Sequence, residues 1–214
     1  MSLIISATSG GSSFPPLEAG SYPAICYGLV DIGYQWNDAY KKSSPKLIIM
    51  WEIPGETITI DGEEKSRVIS QTYTVSLNEK ATLRKDLANW RGRDFTDEEL
   101  KGFDIKTIVG APCLLSIVHK ESNGRTFANI SGIMALPKGI KKPRGTLDEI
   151  IFDLDTSNLD EIKELPEWIQ KRIYDSETYK ERVAGIGHEE PGDDTDYEQP
   201  GVGDYEDDEL ELPF

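Results

Sequence analysis

The chain has 214 residues and a formal net charge of −16, from 39 acidic and 23 basic side chains. The charge is uneven: residues 1–144 carry a balance of +2, residues 145–182 one of −6 and residues 183–214 one of −12, the last without any Lys or Arg. No run of about 18 apolar residues is present, which argues against a membrane span, and the N-terminus lacks the basic flank of a secretory signal. The sequence therefore predicts a cytoplasmic protein with one near-neutral domain and a disordered acidic tail at 183–214.

The first third of the chain is predicted to form a flexible arm followed by strands. Residues 1–19 are rich in Gly, Ser and Pro, which predicts the arm. Alternating apolar side chains predict strands at 20–32, 46–53, 57–60 and 65–75. The polar and aromatic stretch 33–45 predicts an exposed loop, and Asp61-Gly62 predicts a tight hairpin turn, because this pair favours positive φ angles.

Two capping boxes and a second hairpin follow. Ser76–Glu79 predicts the start of a helix that ends near Trp90, before Gly92. Thr96–Glu99 predicts the start of a short second helix. Strands are predicted at 112–119 and 125–134, joined by an Asn-Gly turn. With 57–60 and 65–75 taken together as a third strand with a hairpin insert, the order is three strands, a helix and two strands. This order predicts a mainly β fold with minor α content: a five-stranded, OB-fold-like Greek-key barrel over 20–144, with a helix between strands three and four.

Residues 145–182 predict a helical extension of the barrel. Leu165-Pro166 opens a helix, since proline is tolerated in a first turn. Its apolar side chains form one stripe: Trp168, Ile169, Ile173 and Tyr174. We expect the stripe to pack on the barrel, with a homodimer contact as the alternative. Both cysteines, Cys26 and Cys113, lie in apolar strands and are expected to be buried free thiols.

The sequence gives little support for catalysis. His119 and His188 are the two histidines, and neither has a zinc-ligand spacing with the cysteines. No nucleophile elbow, phosphate-binding loop or dinucleotide fingerprint is present. We therefore expect no enzyme activity, no cofactor and no metal. A small metal-dependent nuclease stays open as an alternative, because its carboxylates would be scattered along the sequence.

Aromatic and basic residues interleave in the body, as a groove for single-stranded nucleic acid requires: cations contact phosphates and aromatic faces stack on bases. Trp36, Tyr40, Lys41 and Lys42 form the strongest candidate site, because no core periodicity explains their aromatic rings. The full set of predicted nucleic-acid-binding residues is Tyr34, Trp36, Tyr40, Lys41, Lys42, Lys46, Trp51, Tyr73, Arg91, Arg93, Arg125, Phe127, Lys141 and Lys142. For Trp51, Tyr73 and Phe127, a core position is the competing interpretation.

The acidic tail has an apolar tip. Asp207, Asp208 and Glu209 lead through Leu210 and Glu211 to Leu212, Pro213 and Phe214. This pattern favours docking to a partner protein, with Phe214 in an apolar pocket and basic residues attracting the acids. A merely solubilising tail with an accidental apolar end is the alternative.

Several motifs resemble a known family. The tail resembles the C-terminal tip of bacterial and phage single-stranded-DNA-binding proteins, an acidic run that closes in Pro-Phe. The body is similar to phage and prophage proteins identified as single-stranded-DNA-binding or of unknown function. The motifs that carry this similarity are Trp51-Glu52-Ile53-Pro54, the stretch 73–81, the stretch 87–95 and Leu165-Pro166-Glu167-Trp168-Ile169.

The resemblance implies binding and protection of single-stranded DNA during phage DNA replication or recombination, in the host cytoplasm. It also implies that the tail tip recruits replication or recombination proteins. An OB-like adaptor that binds proteins but not DNA is the first alternative, and the nuclease is the second.

Overall fold

The structure is a computed structural model that describes residues 15–60, 62–122 and 124–185. Within these ranges, six strands form one sheet. Their bounds are Gly20–Asn37 (β1), Lys42–Ile60 (β2), Glu63–Thr74 (β3), Pro112–Ser122 (β4), Arg125–Met134 (β5) and Ile150–Phe152 (β6). The order is β3-β2-β1-β4-β5 with antiparallel neighbours, and β6 pairs in parallel with β1.

The sheet curls into a half-barrel, and a helix lies between its third and fourth strands. Helix α1 (Thr82–Arg91) follows β3 along the chain and packs against both β3 and β5, the two end strands of the order. The predicted mainly β, OB-like architecture is confirmed. Gly62 and Gly124 have φ angles of 83° and 76°, as tight hairpin turns require.

The predicted loop at 33–45 is wrong, because β1 and β2 continue through it as a two-stranded ribbon. Residues 34–37 of β1 pair with residues 42–45 of β2, which leaves a turn of four residues at 38–41. The second predicted strand, 46–53, also does not end at Ile53. Strand β2 continues through Pro54-Gly55, where its pairing with β3 becomes irregular between Ile53 and Thr57 and then resumes. A bulge therefore accommodates the proline, which lacks the N–H that a regular ladder uses.

The first capping box does not start a helix. Helix α1 begins after Ala81, and the Ser76 hydroxyl instead accepts a hydrogen bond from the Asn78 N–H, at 3.2 Å. Gly92 ends α1 in the left-handed conformation, with φ 70°, as predicted. The second capping box is confirmed: Thr96 and Glu99 bond each other's backbone at the start of helix α2 (Asp97–Lys101).

The inner face of the sheet carries the main core. Trp51 and Trp90 meet there with ring centroids 5.9 Å apart. Cys26 and Cys113 are buried in the same cluster as free thiols, as predicted, and burial raises the pKa of Cys26 to about 12. Thiols with such high pKa values are poor nucleophiles at neutral pH.

The end of the predicted N-terminal arm is anchored. Leu17 is buried in the main core, and its carbonyl lies 2.8 Å from Nε2 of His119. Arg67 of β3 donates to the carbonyl of Pro15. The arm prediction is therefore wrong for residues 15–19, and residues 1–14 lie outside the described ranges.

The extension covers the outer face of the sheet. It contains β6, a short 3-10 helix at Leu159–Glu164, α3 (Glu167–Asp175) and α4 (Glu177–Ala184). The stripe on α3 packs on the barrel as predicted: Trp168, Ile169 and Ile173 are buried in a second apolar cluster, while Tyr174 is 37% exposed. Strand β6 was not predicted. In the described part of the chain, no helix has the length and apolar character needed to span a membrane.

Candidate nucleic-acid interface

The outer face of β1 and β2 is not open to a ligand. In OB folds the face of strands two and three, with the β1–β2 and β4–β5 loops, binds oligonucleotides. Here Val30, Ile48 and Met50 point outward and are buried against α3 and its neighbours. The open part of this outer face is therefore restricted to the places that the extension does not cover.

Glu52 holds the first residues of the extension, Thr146 and Leu147, against the sheet. Its carboxylate is fully buried on the outer face of β2 and accepts hydrogen bonds from the N–H groups of Thr146 and Leu147, at 2.9 Å and 3.2 Å. Burial alone would raise the pKa of Glu52, but hydrogen bonds from Thr146, Ser66 and the backbone outweigh it and lower the pKa. The charged form of Glu52 is thus the form that the fold selects.

The tip of the ribbon, residues 36–42, carries exposed aromatic rings beside cations. Trp36 is 55% exposed and Tyr40 is 49% exposed. The other three tryptophans of the chain, Trp51, Trp90 and Trp168, are buried. Asp38 organises the turn, since its Oδ1 accepts from Trp36 Nε1 at 3.1 Å and from Lys41 Nζ at 3.2 Å. The structure thus brings together the predicted group of Trp36, Tyr40, Lys41 and Lys42.

Strand geometry divides this group between two faces of the ribbon. Trp36 lies opposite Ser43, and Asn37 lies opposite Lys42, so Trp36 and Lys42 point to opposite faces. Lys42 and Lys46 are four residues apart on β2 and share a face. Lys46 Nζ donates to the Thr74 hydroxyl on β3, at 2.7 Å.

The extension holds the base of the ribbon. The Tyr34 N–H donates to the Thr178 hydroxyl on α4, at 2.9 Å. Gln35 Nε2 donates to the carbonyl of Arg172 on α3, at 3.0 Å. Tyr34 itself is half-buried. The ribbon is therefore anchored at its base, and its tip projects with the aromatic rings.

Two predicted base-stacking residues are in the core. Trp51 is completely buried, and its Nε1 has no hydrogen-bond partner among the described residues. Tyr73 is 3% exposed, and its hydroxyl donates to Asp86 at 2.9 Å. Neither ring presents a face to solvent, so both predictions are corrected: these are packing residues of the inner face.

The two predicted arginines after α1 are bound to a carboxylate. Glu99 accepts from Arg91 and from Arg93, the latter at 2.7 Å, and Arg93 is the main reason that the pKa of Glu99 falls to about 2. Arg91 also lies over the rings of Phe95 and Phe103, at 4.5 Å and 4.9 Å from their centroids. Arg91 is thus chiefly structural, whereas Arg93 stays largely exposed at the rim of a cleft of about 560 Å³.

The remaining predicted residues lie away from the ribbon tip. Arg125 and Phe127 are on β5 near the β4–β5 turn, beyond Gly20 at the opposite end of β1 from the ribbon. Lys141 and Lys142 are exposed in the segment between Ala135, which bonds Asn89, and Thr146, which bonds Glu52. The tail residues Asp207, Asp208, Glu209, Leu212, Pro213 and Phe214 lie outside the described residues.

Three carboxylates meet between β1 and the extension. Oxygen atoms of Asp31, Asp153 and Asp155 lie within 4.8 Å of one another. Burial, followed by the charges of Asp155 and Asp153, raises the pKa of Asp31 to about 6, although the Gly33 N–H donates to it at 2.8 Å. Lys106 pairs with Asp153 at 3.2 Å. The nuclease alternative stays a prediction, since acidic groups of this kind are common without an ion.

Sequence reasoning missed the residues of the β3 edge that face the extension. Arg172 Nη1 donates to the Thr72 hydroxyl at 2.8 Å, two residues before Thr74. The available signal was the alternation of Ser70, Thr72 and Thr74, which marks a polar strand face. The pairing of Arg172 with that face joins residues 100 positions apart in the chain and has no local signature.

No protein-family model matches the chain, and no curated protein matches it. The resemblance to single-stranded-DNA-binding proteins therefore stays an expectation from the motifs and the tail. A function has to be assigned from the surface chemistry of the described residues.

Proposed function

We propose that the protein is a non-enzymatic single-stranded-DNA-binding protein of phage replication or recombination, which acts in the host cytoplasm. It binds without reading sequence, and its acidic tail recruits replication proteins. The observation that carries the proposal is the ribbon tip, where Trp36 and Tyr40 are about half exposed beside Lys41 and Lys42. In OB folds the β1–β2 loop is one of the elements that contact oligonucleotides.

The chemistry of the tip suits an unstacked strand. An aromatic face is sequence-tolerant, and each stacked base contributes about 1–3 kcal/mol. Adjacent lysines attract phosphates and make the affinity fall with salt. The net charge of −16 does not oppose this proposal, because residues 1–144 carry a balance of +2 and the acids are concentrated after them.

Titration of a labelled oligo-dT, followed by fluorescence anisotropy at low salt, tests the proposal. We expect binding that weakens as salt increases, and a loss of about 5- to 150-fold for Trp36→Ala, the equivalent of one stacked base. Trp36→Tyr is the matched control, since it keeps an aromatic face at the same position. Absence of binding by the wild-type protein at low salt would refute the proposal and favour the adaptor alternative.

Tryptophan fluorescence gives a second readout that the structure makes specific. Trp36 is exposed and the other three tryptophans are buried, so quenching by DNA reports on the ribbon tip. The signal change should disappear in Trp36→Tyr although that variant still binds. Quenching that persists in this variant would place the contact elsewhere.

The tail belongs to the same proposal. Its acids can compete with DNA phosphates for the cations of the body, and the apolar tip Leu212-Pro213-Phe214 can dock to a partner protein. We expect deletion of residues 204–214 to raise the affinity for oligo-dT, most strongly at low salt. Unchanged or weaker binding after the deletion would exclude competition.

A further inference from the structure

A cleft of about 560 Å³ lies between α1, a short 3-10 helix at Ile105–Ile108 and the segment that follows β5. Its lining is mostly apolar and includes Leu87, Trp90, Phe103, Ile108, Ala111 and Leu136. Leu87, Trp90 and Ile108 belong to the main core, whereas Phe103 and Leu136 keep partial exposure. An apolar side chain that enters the cleft would therefore be removed from water at the border of the core.

The rim of this cleft is positively charged. Arg91 and Arg93 both pair with Glu99, so two positive charges meet one negative charge. The side chain of Arg93 is 55% exposed, and Nη1 of Arg91 is buried without a hydrogen-bond partner among the described residues. A buried donor without an acceptor is costly, and guanidinium groups bind carboxylates strongly. The rim therefore favours a ligand that carries carboxylates.

Further cations follow the cleft along the chain. Residues 135–147 begin at the cleft with Ala135 and Leu136, and they contain four cations and no acid. The cations are Lys138, Lys141, Lys142 and Arg144, all of them exposed. The apolar cleft and its cationic surroundings are thus complementary to an acidic segment with apolar side chains.

A short series of contacts links the end of α4 to the cleft. Arg182 of α4 donates to the carbonyl of Leu154. The preceding residue, Asp153, accepts from Nζ of Lys106 at 3.2 Å, and two residues after Lys106 comes Ile108 of the cleft lining. The last described residues of the chain thus lie close to the 3-10 helix that borders the cleft.

The tip of the acidic tail has the chemistry that this cleft favours. Residues 207–214 contain four acids and the apolar side chains Leu210, Leu212, Pro213 and Phe214. Residue 207 is 22 positions after Gly185, where the described part ends, and a chain of that length spans up to about 75 Å. A compact domain of this size has a radius of gyration of only about 15 Å, so the tip can reach the cleft.

We propose that the cleft is a docking site for the chain's own segment 207–214. Leu212 and Phe214 occupy the apolar cleft, and the acids lie against Arg93 and the cations that follow Leu136. A docked tip is not available to another protein, so a partner has to compete with the cleft for it. The proposal rests on the tail's part in the proposed function, but it requires no contact with DNA.

The cleft is separate from the ribbon tip, which makes the two sites distinguishable. The N–H of Cys26 on β1 donates to the carbonyl of Ala111 beside the cleft, at 3.1 Å. Trp36 is ten residues farther along β1, or roughly 30 Å at the rise of a strand. Probes at Ala111 and at Trp36 therefore report on different places.

A nitroxide spin label in the tail of the full chain tests the proposal. Asp204→Cys provides the attachment site, because Cys26 and Cys113 are buried and burial raises the pKa of both thiols. In the NMR spectrum without DNA, we expect broadened amide signals at Ala111 and Leu136 and unchanged signals at the ribbon tip. The broadening should fall as salt screens the acids from the cations. Broadening at the ribbon tip instead, or at neither place, would overturn the proposal.

Two variants of the tail form a matched pair, because neither changes a residue of the described fold. Phe214→Ser removes the aromatic ring of the tip and should abolish the broadening at Ala111. Tyr197→Ser removes an aromatic ring from the tail outside the tip and should leave the broadening intact. On the body, Arg93→Gln should reduce the broadening, whereas Lys171→Gln on α3 should not. If Phe214→Ser keeps the full broadening, the tip does not occupy the cleft.

Mixing separates docking within one chain from docking between two chains. Isotope-labelled protein without the nitroxide is mixed with unlabelled protein that carries it. We expect no broadening at Ala111 in this mixture, and broadening there would assign the tip to a second copy and refute the proposal as stated. Binding of oligo-dT without broadening at the cleft ends this proposal alone. Broadening at the cleft in a protein that does not bind oligo-dT ends the DNA-binding proposal alone.

Discussion

Both faces of the β1–β2 pair carry apolar side chains, but a different part of the molecule covers each face. The inner face buries residues such as Leu29 and Ile49 in the barrel core. The outer face buries Val30 and Ile48 beneath the extension. An OB-fold strand pair with one solvated face would instead alternate apolar and polar residues.

This difference restricts the surface that our proposal assigns to DNA. Because the extension occupies most of the outer face, the places left open on this face lie along β3 and at the ribbon tip. The extension also supports both places, since α4 bonds Tyr34 of the ribbon and α3 bonds Thr72 of β3. The same helices thus cover the outer face and hold both of these places.

The largest expected effect comes from a cavity in the apolar cluster between the sheet and the extension. Ile169 is fully buried in it, so Ile169→Ala should lower the free energy of unfolding by about 2–5 kcal/mol, through lost burial and a cavity. Urea denaturation measures the change. Tyr174→Ala, at a position that is 37% exposed on the same helix, is the control and should cost less. A loss below about 1 kcal/mol for Ile169→Ala would mean that the cover does not fold cooperatively with the barrel.

Much of the fold could be predicted because local signals and packing agree. The order of the five barrel strands and the helix along the chain, the second capping box and the stripe on α3 all appear as the sequence indicated. The first capping box failed because a serine can also bond the backbone two residues ahead and so favour a turn over a helix. Ser76 does this with Asn78.

Side-chain roles were harder to predict than elements. Every residue from Leu47 to Ile53 is buried, a pattern that indicates cover on both faces but does not say what covers them. Trp51 follows an apolar run, whereas Tyr73 lies between two threonines, and neither setting distinguishes a groove residue from a core residue. The burial of both side chains settles the choice. The pairing of Arg172 with Thr72 depends on the docking of a helix 100 residues away.

The next effect tests the anchor of the cover. Glu52→Gln replaces an acceptor-only carboxylate by an amide whose NH₂ group can face the Thr146 and Leu147 N–H groups. We expect a loss of about 2–4 kcal/mol in the free energy of unfolding at pH 7. Glu63→Gln, at an exposed position, is the control and should change stability by less than about 0.5 kcal/mol.

The pH dependence gives the sign of the Glu52 contribution. The folded pKa of Glu52 is lowered from its ordinary value of 4.5, so the stabilisation is complete above pH 4.5 and is lost as the pH falls through the folded pKa. The gap between wild type and Glu52→Gln should narrow as the pH falls below 4.5. A gap that stays constant down to pH 3 would show that the charge of Glu52 does not stabilise the anchor.

The smallest expected effect is a gain in stability when Asp31 is replaced, at the place where β1 meets the extension. The folded pKa of Asp31 is raised from 3.8 to about 6, chiefly by burial and then by Asp155 and Asp153, so at pH 7 its charge is held at a cost. Because the folded state binds the proton more tightly, stability contributed by Asp31 is present below pH 3.8 and is lost as the pH rises to about 6. Asp31→Asn keeps the acceptor for Gly33 and removes the charge, so it should stabilise by about 1–2 kcal/mol at pH 7. Thermal melts at pH 7 and pH 4 measure this, and the gain should largely vanish at pH 4. A gain of equal size at both pH values would show that the gain does not come from removing the charge of Asp31, because that charge is present at pH 7 and largely neutralised at pH 4.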